Sequence, residues 1–118
     1  MRSLLACLAC LLAACAHEPA AELVAPYEEG STLPGGYKVG AIERTDEGAI
    51  VVRLEGDPAA DVLFFRREDD APAFTRTPHC NVVFDSSLPS GSPTPQALGL
   101  AVQALADAAR SGDGMCRD

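Results

Sequence analysis

In this chain of 118 residues His79 stands beside Cys80, and the pair offers an imidazole and a thiol to chemistry. With an acidic neighbour the two could serve zinc, which wants three or four converging ligands. His79 with Asp85 and one of Ser86, Ser87, Ser90 or Ser92 has the residue types of a base, an orienter and a nucleophile. Neither set has a recognised spacing, and no G-x-S-x-G is present. Asp57 with Asp61, and Glu68-Asp69-Asp70, pair carboxylates without the central glycine and closing glutamate of a calcium loop. The first reads as a turn with helical or capping character and the second as a solvated acidic loop. Gly35-Gly36 precedes a strand and not a helix, so it does not cradle phosphate. Arg66-Arg67 beside Phe64-Phe65 could stack on an aromatic or bind an anion, but two arginines closing a strand read first as its solvated end. The sequence therefore assigns no catalytic residue, no metal ligand and no cofactor.

The cysteines say more. Cys7 and Cys10 form a C-x-x-C, elsewhere a redox or metal pattern, but here they lie in an apolar run that follows Arg2. From Ser3 to Ala14 that run is twelve residues long, whereas a spanning helix needs roughly 20. A basic start, a short apolar core and small residues before a cut are the parts of an export signal. The tetrapeptide Leu12-Ala13-Ala14-Cys15 resembles the lipobox of bacterial lipoproteins, and the resemblance covers this segment alone. It implies removal of residues 1–14, and lipidation of Cys15 on its sulfur and its new amino group. Two or more acyl chains give stable anchoring where one does not. Ala16, in place of an aspartate, implies the periplasmic face of the outer membrane. In such an oxidising compartment the two remaining cysteines, Cys80 and Cys116, are expected to pair.

Charge narrows the partners. The chain carries 9 basic and 17 acidic side chains, a net −8, and loss of Arg2 makes it one unit more negative. That balance repels nucleic acid and anionic headgroups. It leaves a protein of the cell envelope as the expected partner.

Residues 15–36, with three prolines and three glycines, read as a lipidated N-terminus and flexible tether. Residues 37–118 then form one small domain, near the size at which a core alone supplies little stability. In it Tyr37, Val39 and Ala41 alternate with Lys38, Gly40 and Ile42. Thr45-Asp46-Glu47-Gly48 has turn chemistry, and Ile50, Val52 and Leu54 alternate again, so a hairpin is expected. Val62-Leu63-Phe64-Phe65 makes a third strand, apolar on both faces. Glu68 to Pro78 reads as an acidic loop and Cys80 to Phe84 as a fourth strand. After a Pro-rich stretch, Thr94 is expected to cap a helix with Pro95 in its first position. Leu98, Ala101, Val102, Leu105, Ala108 and Ala109 share one face of that helix, and Gly112 ends it. Gly99 leaves room for a close backbone approach.

The expected architecture is α+β: a four-stranded antiparallel meander with one C-terminal helix on one face, in two layers. One helix covers one face only. The other would carry some of Val51, Leu63, Phe65 and Val83, depending on register, and where these lie together they form a candidate binding face, unless the loop Glu68–Pro78 folds over it through Phe74. The leading expectation is a non-enzymatic envelope lipoprotein that binds a protein or serves structurally. An alternative is an inhibitor of a secreted hydrolase such as a lysozyme or protease, with Leu88-Pro89-Ser90-Gly91 inserted in the enzyme's cleft. A third is an enzyme or metal carrier centred on His79.

Overall fold

The computed structural model describes residues 20–118. The signal segment, Cys7, Cys10, Cys15 and His17 lie outside the described residues.

Five antiparallel strands form one sheet: β1 (Lys38–Arg44), β2 (Ile50–Glu55), β3 (Ala60–Arg66), β4 (Thr75–Arg76) and β5 (Cys80–Ser86), in the order β1-β2-β3-β5-β4. The α+β class and the expected meander through the four long strands are present. The fifth strand is new: two residues within the stretch expected to be only loop turn back along the outer edge of β5. Two residues are too few for a hydrophobic period to register.

Alternation decides what each strand buries. Ile50, Val52 and Leu54 of β2, Ala60, Val62 and Phe64 of β3, and Cys80 and Val82 of β5 face one side and are fully enclosed. Helix α1 (Gln96–Ser111) lays Leu98, Ala101, Val102, Leu105, Ala108 and Ala109 into the same core, as its spacing requires, and Ala106 joins them. Between strands β1 and β2, Thr45 closes the expected turn by accepting from Ala49 N–H on its Oγ1 (3.1 Å), with Gly48 at φ +84°.

Local geometry departs from the expected pattern in β1 and at the start of the helix. In β1 the pairing slips between Val39 and Ile42, so Ile42 and not Ala41 sits opposite Val52. Gly40 permits this close pass, since a Cβ there would lie 3.3 Å from the Arg53 carbonyl oxygen. Pro95 is the cap residue of α1 itself, with ψ 140°, and Thr94 makes no capping bond. Proline fixes φ but not ψ, and this extended ψ delays the first turn by one residue. At the far end Gly112 ends the helix as expected, in extended and not left-handed backbone (φ −75°). Its lack of a side chain admits the Leu23 carbonyl instead.

That contact belongs to a larger correction. Much of the segment expected to be a tether is built into the domain. A 3-10 helix, Ala20–Val24, packs against α1 and β1, and Leu23, Val24, Leu33 and Tyr37 are all at most 3% exposed. Gly35 (φ +91°) passes so close to α1 that a Cβ would lie 2.7 Å from the Ala97 carbonyl oxygen. The same segment satisfies the outer edge of β1: Gly30 N–H donates to Val39 C=O (2.7 Å) and Val39 N–H to Ser31 C=O (2.9 Å). Where it is covered in this way, around Val39, the edge is closed to chance pairing with another chain.

Candidate functional site

The four residues expected on the second face do share it. Val51 stands opposite Leu63, and Leu63 opposite Val83. The three therefore form one row across β2, β3 and β5, each only half-buried. Phe65 extends this row along β3 and lies opposite Asn81. Directly opposed residues have Cβ atoms about 4.5–5.5 Å apart, so the row is a continuous apolar strip.

The strip is not roofed by Phe74. That ring crosses to the helix side, where it meets Phe84 edge-on, with centroids 5.1 Å apart and planes at 69°. It also lies over Gly99, 3.7 Å from where a Cβ would be. The close approach at Gly99 is thus made by a side chain and not by backbone. What the acidic loop covers is the end of the face at Asn81. The Asn81 side chain, fully buried, donates to Glu68 C=O (2.8 Å) and accepts from Arg76 Nε (3.2 Å). Sequence reading missed this lock because a polar residue in an apolar strand ordinarily points to water.

Along its other flank the strip is bordered by charge. Arg53 bridges Asp61 (3.2 Å) and Glu43 (3.6 Å), and Asp61 stands opposite Asp85 in register. Asp61 lies within a strand, which corrects the expectation that Asp57 and Asp61 share a turn. Asp57 alone is in the turn, before Pro58.

His79 and Asp85 are not brought together. They are six residues apart along an extended segment, about 20 Å at 3.3 Å per residue, and the serines cluster at the Asp85 end. Cys80 is bonded to Cys116, with Cα atoms 5.3 Å apart, so its sulfur is not a free thiolate. Among the described residues no three His, Cys, Asp or Glu side chains converge as metal ligands. Leu88 to Pro95 forms one wall of a groove of about 220 Å³ against Phe84–Ser86. Leu88 itself is half-buried, so this loop rests on the sheet at its start.

Electrostatics distinguish two further groups. Arg67 donates to Asp69 (2.7 Å) and holds that carboxyl below its usual range by this hydrogen bond and by its charge. Burial, with the nearby Asp57 charge, raises the Tyr37 phenol above its usual value, and its hydroxyl donates to Pro58 C=O (2.7 Å). Both are structural ties.

No helix among the described residues is long and apolar enough to cross a membrane. Compared with protein-family models, curated proteins and solved structures, the chain matches none.

Proposed function

We propose that this chain is a lipid-anchored protein of the bacterial cell envelope whose small domain binds a protein partner and performs no catalysis. The anchor in this reading is Cys15, on the strength of Leu12-Ala13-Ala14-Cys15. The observation that carries the binding role is the in-register row Val51–Leu63–Val83, with Phe65 beside it. Four large apolar side chains on one sheet face, bordered by charge and left half-open, make a surface of the kind partners cover.

The buried Leu23 adds a constraint. Seven residues separate it from Cys15, and eight virtual bonds reach at most about 28 Å. A lipid on Cys15 would therefore hold the domain close to the membrane, on a short leash that enters beside α1.

Two measurements test the proposal. Mass spectrometry of the natural protein should find acyl chains on an N-terminal Cys15; an intact Met1 would end the envelope reading. A photo-crosslinking residue at Leu63, in intact envelopes, should yield one discrete protein adduct, while the same residue at Gln103 on the exposed side of α1 should not. Equal labelling from the two positions, or none, would end the binding role.

A further inference from the structure

The disulfide does more than tie down the C-terminal tail. Met115 precedes Cys116 and His79 precedes Cys80, so the bond brings these two side chains together. With Arg66, Arg67 and Pro78 they line an open groove of about 400 Å³. No carboxylate is among those five residues, in a chain whose acidic side chains outnumber its basic ones nearly two to one.

The cations are held in different ways. Arg66 ends β3 opposite Cys80, and its guanidinium has no hydrogen-bond or ion-pair partner among the described residues. Arg67 N–H donates to His79 C=O (2.9 Å), which carries the ladder one residue beyond the strand. Its guanidinium is steadied by the Thr77 carbonyl (3.1 Å) and by Asp69, so its charge is partly offset while its direction is fixed. Arg66 and His79 are the uncommitted donors.

Arg66 and Met115 also border a second groove of about 530 Å³, which adds Phe65 and Ala49 as apolar wall and Glu47, Glu68 and Arg44 as charged margin. The first groove is thus cationic, and the second, which shares Arg66 and Met115 with it, adds an apolar wall and two carboxylates. Volumes of this order are those of small-molecule sites.

We infer that this cleft binds a small amphipathic anion with one acidic head, a carboxylate or a phosphate, and an apolar body. Arg66 holds the head through its planar fork, which suits both oxyanions. His79 donates the second contact and Arg67 backs the pair. The body lies along Met115 and Phe65. Glu47 and Glu68 disfavour a second negative charge further along, and the net charge of the chain turns away polyanions at a distance. The site meets the Val51–Leu63–Val83 strip at Phe65, and it does not depend on lipidation.

The test uses the full chain with its disulfide intact, titrated with octanoate, octyl phosphate, octanol and octyltrimethylammonium, and followed by NMR. Both anions should saturate and shift the amides of Arg66, His79 and Met115, and their relative affinities tell carboxylate from phosphate. The alcohol and the cation should leave those amides unmoved. Acetate and inorganic phosphate, lacking the body, should bind about tenfold or more weakly than their octyl counterparts. Arg66→Gln, at an exposed position, should weaken both octyl anions by about tenfold or more, as expected for a lost charge-assisted bond. Met115→Ser should weaken them without altering acetate. Octanol binding as well as octanoate, anions shifting amides elsewhere, or Arg66→Gln binding like the natural chain would each overturn the inference.

Discussion

Cys80 and Cys116 join the first residue of β5 to the C-terminal tail, 36 positions away and past the whole of α1. Both are fully buried. The bond therefore closes a loop that contains the helix, and it fixes the tail that carries Met115. In the chain-entropy model a loop of this length is worth about 4 kcal/mol, a large share of the 5–15 kcal/mol typical of a domain. Replacing both cysteines by alanine should lower the urea midpoint accordingly, and should reproduce the effect of reductant on the natural protein. A midpoint unchanged by reductant would show that the loop closure contributes nothing.

Two helix glycines should respond in opposite senses. At Gly99, inside α1, an added Cβ would meet only Phe74 (3.7 Å) and a Thr94 methyl (3.9 Å), both at ordinary contact distance. Gly99→Ala should stabilise by about 0.5–1 kcal/mol, the helical penalty of glycine. At Gly112 the Cβ would fall on the Leu23 carbonyl and lie 3.0 Å from that of Glu22. Gly112→Ala should cost about 1–3 kcal/mol, because backbone and not a flexible side chain must yield. Thermal unfolding of the two variants reads the difference in sign.

What the sequence disclosed, and what it hid, follows from how each contact is encoded. Alternation in Ile50–Leu54 and the 3.6-residue stripe from Leu98 to Ala109 are periodic, so the long strands and the helix could be read directly. The face shared by Val51, Leu63, Phe65 and Val83 follows from the same parity once three strands are set in register. Parity fails where the chain slips, as at Gly40–Ala41. It is also silent for β4, which is held by two ladder positions. The segment before Tyr37 misled for another reason. Its prolines and glycines resemble a linker, but they turn the chain between isolated apolar residues, Leu23, Val24 and Leu33, that have no period to betray them. Met115 escaped notice because only the pairing of its neighbour Cys116 places it beside His79.

Those isolated residues can be tested. A chain beginning at Tyr37 would lack Leu23, Val24 and Leu33, uncover the outer edge of β1, and expose the part of α1 beside Gly112. It should fail to give a cooperative unfolding transition. The single change Leu23→Ala, at a residue 1% exposed, should cost about 2–4 kcal/mol. If the shortened chain unfolds with the same midpoint as the natural one, residues 22–36 are a tether after all.

On the open face Asp61 and Asp85 are direct cross-strand partners. Arg53 compensates Asp61 but makes no bond to Asp85. Like charges in opposition are unfavourable, by roughly 0.2–1 kcal/mol. Asp85→Thr should therefore stabilise the fold by a few tenths of a kcal/mol up to about 1 kcal/mol, helped by the β-propensity of threonine. The gain should shrink in high salt as screening removes the repulsion. Asp61→Asn relieves the same repulsion but also removes the Arg53 bridge, so it should stabilise less than Asp85→Thr. Urea midpoints at low and high salt separate the two.

Tyr37 links the domain to alkaline pH. Its phenol is held above the usual value by burial and then by the Asp57 charge. The folded state therefore keeps this proton at a pH where the unfolded chain has begun to lose it. With more protons bound in the folded state, stability must fall as pH rises. The contribution is complete below a pH of about 10, where an unperturbed tyrosine titrates, and is lost as pH climbs through the raised folded value. Tyr37→Phe removes both the proton and the bond to Pro58. At neutral pH it should cost about 0.5–1.5 kcal/mol, the net worth of one hydrogen bond. Above pH 10 the natural protein should lose stability faster than this variant, and the gap between them should narrow. Urea midpoints of the two proteins at pH 8 and pH 11 measure that gap, and a gap that stays constant would mean that Tyr37 does not titrate differently on folding.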